Sequence, residues 1–376
     1  NQILPEYPRP QFRRNNCTIL NGKWEYAITG ATQQTPPDRF DGTILVPFSP
    51  ESELSGVGRT LKPNECLWYR KTLEAPDGFD TNTEDLILHF GAVDQFAEVR
   101  LNGVTISHHA GGYLPFSIVL SEAFVGGIPN ELLVRVRDES DTSCWSRGKQ
   151  SSKPGGIWYT PQSGIWQTVW LERAPKRRIE TVLIKPLFDQ SAVQLTIWTN
   201  YGGGGIVQLL GNETVFLSGT PLVLPMEDFT PWSPEEPKLY DFSMTFERDH
   251  VESYFAMRKF SLENDEKGTP RLFLNNAPYF HNGVLDQGYW PDGLYTAPSD
   301  EAMVYDIELM KSLGFNTLRK HIKIEPLRWY YHCDRLGMLV WQDMVSGGGI
   351  YDKAAISLPL VFGNAHKDSD YAYFAR

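Results

Sequence analysis

The sequence predicts a multidomain chain, β-rich over its first two thirds and α/β at its end. Three observations predict this. Short runs of alternating apolar and polar residues recur from Asn21 to about Leu262, with turn residues between them. From Phe280 to Met344 the pattern changes to strand, helix, strand, helix, strand with short connections, as parallel βα units require. Two polar stretches, Pro175-Lys176-Arg177-Arg178 and Glu263 to Gly268, separate the regions. The expected division is a jelly-roll-like domain over 1–175, an immunoglobulin-like β-sandwich over 176–262, and the first βα units of a (β/α)8 TIM barrel over 263–376.

Composition narrows the function classes. The 376 residues are 41% hydrophobic and 13% aromatic, enough for two or three folded cores. A net charge of −11 argues against binding a phosphate backbone, and no basic run points to an anionic membrane. No stretch approaches 18 continuous apolar residues, so no membrane-spanning helix is expected. The chain begins at Asn1, not Met, which leaves open a processed segment ahead of it and an extracytoplasmic location. Cys17, Cys66, Cys144 and Cys333 lie far apart with no CxxC spacing. That gives no zinc motif, although one disulfide stays open. Asn16-Cys17-Thr18 and Asn212-Glu213-Thr214 match a glycosylation pattern that also arises often by chance. Eleven tryptophans suit sandwich cores, and some could serve as stacking faces for sugar rings.

In the first region, Asn21 to Ile28 and Leu67 to Leu73 alternate, and Leu86 to Phe90 is a further strand. Ala97 to Ile106 reads as a hairpin turning at Asn102-Gly103, because both central residues of such a turn need φ > 0. Glu131 to Val136 and Gln167 to Glu172 add two strands. Many short strands with long loops between them suit a jelly roll. The polar, Gly-rich loop Ser146 to Ser163 carries Trp158 and Tyr159. Long loops interrupting sandwiches are often functional, the alternative being a connection packed by its own aromatics. In the second region, strands are expected around Val193 to Ile197, Ile206 to Leu209 and Tyr240 to Phe246. Glycines 202 to 205 read as a flexible hairpin loop.

The third region opens with a strand at Phe280 to Leu285. A helix follows, started by Ser299 with Asp300 and Glu301 and ended at Gly314. Phe315 to Leu318 is the second strand. Pro326 is placed as first helical residue of the next helix, whose apolar stripe is Leu327, Tyr330, Tyr331 and Leu336, with Gly337 as its stop. Met338 to Trp341 is the third strand, expected to be buried on both faces. Polar residues just past the C-terminal ends of such strands usually face a site, which draws attention to Asp286, Gln287, Arg319, Gln342 and Asp343. A whole barrel takes about 250 residues, so 263–376 would supply roughly three of its eight units.

Several stretches together resemble glycoside hydrolase family 2, the β-galactosidases and β-glucuronidases. They are Leu4 to Pro10, Trp68-Tyr69-Arg70-Lys71, Phe90 to Asp94 with Asn102-Gly103, Gly111 to Phe116, Ser163 to Glu172 and Trp232 to Tyr240. The resemblance spans the chain and implies the same domain order and a retaining β-glycosidase. It also implies a sugar subsite lined by Asp286, Gln287, Tyr289 and Trp290, by Arg319, Lys320 and His321, and by Gln342 and Asp343. Trp158 and Tyr159 would reach over from the sandwich loop. Carbohydrate is the implied partner, with no nucleic acid, membrane, metal or organic cofactor. A homo-oligomer stays open.

The chain also departs from the family. Leu285-Asp286 stands where Asn-Arg is usual, and Trp158 replaces an aspartate lent by the sugar-binding domain. Arg319-Lys320-His321 replaces Arg-x-x-His, and a shift of one residue in an extended segment turns a side chain to the opposite face. Arg319 could also be a buried arginine that orients the acids. Retaining cleavage needs two carboxyl groups about 5 Å apart, one protonating the leaving oxygen and one attacking the anomeric carbon. No Asn-Glu pair follows the third predicted strand, so both catalytic glutamates are expected beyond Arg376. The alternative is a non-catalytic carbohydrate-binding protein.

Overall fold

A computed structural model describes residues 3–345 except 121 and 144. Cys144 and the tail of the third predicted region therefore lie outside the described residues. Among the described residues the chain is mostly β, with two α-helices, both after residue 299. No helix among the described residues is long and apolar enough to cross a membrane.

Two sheets make the first layer pair. One has the order Cys17–Ile19, Val169–Pro175, Glu84–Phe90, Phe116–Val119; the other runs through six strands with Glu65–Leu73 and Asn130–Arg137 at its centre. Leu67, Tyr69, Val99, Leu132 and Val134 from the second sheet meet Leu86, Leu88, Phe90 and Leu171 from the first in one buried core. Alternation decides which side chains go in: Tyr69 enters this core, while Trp68, one residue earlier, packs with Ala27 and Cys66 on the other face. The Asn102-Gly103 hairpin joins Phe96–Leu101 to Val104–Ala110, with φ of 52° and 82° at the two turn residues.

A second pair of sheets follows, of three and four strands, around Val193, Leu195, Val207, Met244 and Val251. Here the glycine run is not simply a loop. Gly204 and Gly205 begin the strand Gly204–Leu209, where a Cβ on Gly205 would lie 2.2 Å from the Thr245 carbonyl oxygen. Close approach of backbones, not flexibility, calls for glycine at that point. Arg14 stitches the two pairs together. It donates to both Asp249 carboxylate oxygens at 2.8 and 2.9 Å and lies 3.4 Å from Glu172, which also meets Arg9 and His89.

Among the described residues the last region holds three parallel strands, Gly283–Asp286, Thr317–Lys320 and Leu339–Gln342, with α1 (Asp300–Ser312) and α2 (Leu327–Leu336) on one face. Ser299 caps α1 by accepting from the Ala302 N–H. Several expectations shift. The first strand starts at Gly283, leaving Phe280 82% exposed, and Pro326 stands one residue ahead of α2. The fully buried residues of α2 are Trp329, His332 and Cys333; of the predicted stripe, Tyr330 and Leu336 pack partly against that core while Leu327 is exposed, because His332 and Arg328 bond Asp300 at the start of α1 and fix the rotation of α2. Trp341, expected inside, is 47% exposed. Cys17, Cys66 and Cys333 are free thiols.

Candidate functional site

The two faces of the parallel sheet divide the residues singled out by sequence. Val284, Leu318 and Val340 pack against Met303, Ile307 and Trp329, so they mark the helix-covered face. In register one position later, Leu285, Arg319 and Trp341 stand side by side on the opposite face, and all three are solvent-exposed. One position further, Asp286, Lys320 and Gln342 return to the helix side. The predicted set is thus two groups back to back.

On the open face, Asp343 is the focus. Arg319 donates to it through Nε at 3.1 Å and through Nη2 at 2.9 Å, and His321 Nδ1 lies 2.6 Å from Oδ2. His321 follows Arg319 by two positions and so shares its face. Burial alone would raise the Asp343 pKa, but the bonds from Arg319 and His321 outweigh it and hold the carboxyl below its usual range. Trp341, exposed beside Arg319, is not singled out by the sequence, since its apolar strand context reads as core. Its indole N–H donates to His281 Nδ1 at 2.8 Å, which holds its ring in place and puts the imidazole hydrogen on Nε2.

On the helix side, Lys320 is 1% exposed and forms ion pairs with Asp286 (2.7 Å) and Glu325 (2.8 Å). Its ammonium lies 4.3 Å from the centre of the Trp329 ring. Gln342 donates to the Lys323 carbonyl and accepts from Tyr330. Lysine and glutamate at this depth are tolerated because each charge is paired. Asp286, Gln287, Tyr289, Trp290 and Lys320 line a cavity of about 360 Å³, together with Tyr159. Gln287 Oε1 is buried without a protein partner among the described residues, an acceptor that a ligand hydroxyl would satisfy.

The sandwich loop does reach this region. The Tyr159 ring stacks on Tyr289 with centroids 3.9 Å apart and planes 13° from parallel. Gln150 donates to Asp94 at 3.1 Å and accepts from the Gln162 N–H. Ser146 Oγ lies 3.5 Å from the carbonyl of Val345, just past the third parallel strand. Gly148 has φ of 58°, and a Cβ there would meet the Ile322 carbonyl at 2.6 Å, so only glycine lets the loop sit this close. Trp158 is 38% exposed, with Arg147 5.0 Å from its ring centre. The loop's C-terminal root, Ser163, is held by a half-buried and a buried acid: its N–H donates to Glu51 and its hydroxyl to Asp138. Nothing in the sequence points to that clamp, because Glu51, Asp138 and Ser163 are far apart along the chain. The described residues contain no cluster of metal-ligating groups.

No protein-family model matches the chain. It is 23% identical over 304 residues to a β-galactosidase of Thermoanaerobacter pseudethanolicus, covering 74% of this chain and 39% of that protein. A putative β-glucuronidase of Formosa agariphila is 25% identical over 306 residues, covering 74% and 34%. A β-galactosidase of Photobacterium profundum is 25% identical and covers 85% and 35%. The chain thus spans little more than a third of these relatives. Among solved structures, a Faecalibacterium prausnitzii β-glucuronidase superposes with a TM-score of 0.71 at 22% identity, covering 89% of this chain and 60% of that one. A family 2 β-galacturonidase of Eisenbergiella tayi gives 0.71 at 20% identity, covering 90% and 60%. In sequence and in fold, the chain is therefore glycoside hydrolase family 2-like and corresponds to an N-terminal part of those longer enzymes.

Proposed function

We propose that the chain is the N-terminal part of a retaining β-glycosidase, which hydrolyses the O-glycosyl bond of a β-glycoside. The three parallel strands are, in this reading, the opening units of a (β/α)8 barrel, with the open face turned towards the barrel interior. The first two regions are then the jelly-roll sugar-binding domain and the immunoglobulin-like sandwich. The observation that carries the reading is the Arg319–Asp343–His321 cluster at the strands' C-terminal ends, in a chain that matches β-galactosidases over 74% and 85% of its length. Strand ends of this kind are where barrels place substrate.

The catalytic glutamates would come from sequence after Arg376. One would protonate the leaving oxygen, and the other would form the glycosyl-enzyme that water then opens. The residues of this chain would bind and orient the sugar. Asp343, kept ionised and fixed by Arg319, offers an acceptor for sugar hydroxyls, and Trp341 offers a ring face beside it. Asp286, Gln287, Tyr289, Trp290 and Lys320, with Trp158 and Tyr159, would shape the neighbouring wall. The test is a nitrophenyl β-glycoside panel assayed with the protein translated through the gene sequence beyond Arg376, in parallel with this chain alone. Turnover by the longer protein and none by the chain is expected. An inert longer protein, or turnover by the chain, would overturn the reading.

A further inference from the structure

The cavity beneath Tyr159 and Tyr289 owes its shape to the short loop between the first parallel strand and α1. That loop folds back on itself: Trp290 and Leu294 exchange backbone hydrogen bonds at 2.7 and 3.1 Å, and the Gly288 N–H donates to Asp286 at 2.8 Å. Tyr295 at its far end is buried with Tyr113 and Trp166, Tyr289 packs partly against that group, and Trp290 packs partly against the core under the helices. What spans its two ends is a side chain from elsewhere. Lys323 is 0% exposed, and its Nζ donates to the carbonyl of Gly288 at 2.6 Å and to that of Tyr295 at 2.7 Å. Its third contact is Glu325 Oε1 at 3.0 Å. The stem places the ammonium 4.9 Å from the centre of the Tyr295 ring and 5.6 Å from that of Trp166.

An ammonium has three hydrogens and no acceptor, and here three acceptors surround it. Two of these are main-chain oxygens on either side of Tyr289 and Trp290. Gly288 sits at φ of 64°, which turns its carbonyl inwards, and a Cβ there would lie 2.9 Å from Lys323 Nζ and 2.3 Å from Glu325 Oε1. The loop is thus built around the lysine. Lys320, sharing Glu325 and held by Asp286, is the only other cation in this buried group among the described residues.

We propose that Lys323 is a positioning residue of the sugar site: it ties the ends of loop 288–295 together and thereby presents Tyr289 to Tyr159 and Trp290 to the cavity. It touches no substrate and acts through those two rings. The sugar part rests on the glycosidase reading; the tie itself does not.

Hydrogen exchange read by mass spectrometry on this chain tests the tie without any sugar. In K323M the amides of Gly288, Trp290 and Leu294 should lose at least about tenfold of their protection, while α1 and α2 stay within about twofold. Y159A should leave those same amides within about twofold, because the loop is held from below. K323Q, which keeps most of the stem and one donating amide, should give a smaller loss at the same three amides, and it serves where K323M fails to fold. Unchanged protection in both lysine variants would overturn the proposal, as would loss spread evenly over α1 and α2, or equal loosening by Y159A. In the longer protein, K323Q should raise KM more than it lowers kcat; an equal fall in kcat with KM unchanged would remove the sugar part and leave the tie.

Discussion

Tyr159 of the sandwich loop lies flat on Tyr289 of the parallel-sheet region, 3.9 Å between ring centroids, so two parts of the chain 130 residues apart share one wall of the candidate site. Neither ring alone fixes the other. Tyr289 is set by its own loop, and the Tyr159 loop is set by Gly148, Gln150 and Ser163.

Removing one ring should therefore be a local event. Y159A is expected to lower stability by about 0.5–1.5 kcal/mol for the lost ring pair, and by about 25 cal/mol more for each Å² of apolar surface no longer buried. Urea unfolding of the chain measures this. A loss several times larger would mean that the stack holds the two regions together.

Asp343 should matter for sugar and little for folding. Its partner Arg319 has a side chain 52% exposed, so the pair contributes little to stability. D343N takes an ionised acceptor from the site, and a bond to a charged group is worth about 1.5–3 kcal/mol. In the longer protein kcat/KM should fall by about ten- to a hundredfold, with the melting temperature nearly unchanged. Wild-type kinetics in D343N would remove Asp343 from the site.

The opposite holds for Arg14. Its guanidinium is 6% exposed, bound to Asp249 in one sandwich and near Glu172 in the other. R14A leaves the buried Asp249 carboxylate without its cation and weakens the cluster around Glu172, which keeps Arg9 and His89, and about 3–5 kcal/mol is expected. Denaturant curves should also lose cooperativity as the two sandwiches part. A single transition at the wild-type midpoint would contradict this.

These contrasts mirror what sequence could reveal. The Asn102-Gly103 hairpin, the α1 cap at Ser299 and the stop at Gly337 were legible, because each depends on residues adjacent in the chain. So were Arg319 and Asp343, as polar residues at apolar strand ends. Trp341 was not: in a strand apolar at every position, period gives no hint of which face stays open. The stripe on α2 held only at Tyr330 and Leu336, since the bond from His332 to Asp300, a long-range contact, decides the rotation. Lys323 carries no signal in the sequence, because the acceptors that bury it come from residues 288, 295 and 325.

The last expectation concerns pH and the root of the Tyr159 loop. Burial raises Asp138 to about 6, with Glu139 and Asp141 adding repulsion, and raises Glu51 to about 8. Both values lie above those of the unfolded chain, so the folded state holds protons that the unfolded state releases. Their contribution to stability is thus fully present below about pH 4 and is lost as pH rises through 6 and then 8. D138N tests the lower step. Asparagine can keep the acceptor for the Ser140 N–H and turn its amide towards the Ser163 hydroxyl, which can accept. The wild-type melting temperature should fall between pH 5 and 9, and the part of that fall below pH 7 should shrink in D138N. At pH 8 the variant should equal or exceed the wild type, since it no longer buries a charge there. Parallel melting curves for the two proteins from pH 5 to 7 would show that Asp138 is already ionised in the fold, and that its bonds to Ser140 and Ser163 outweigh its burial.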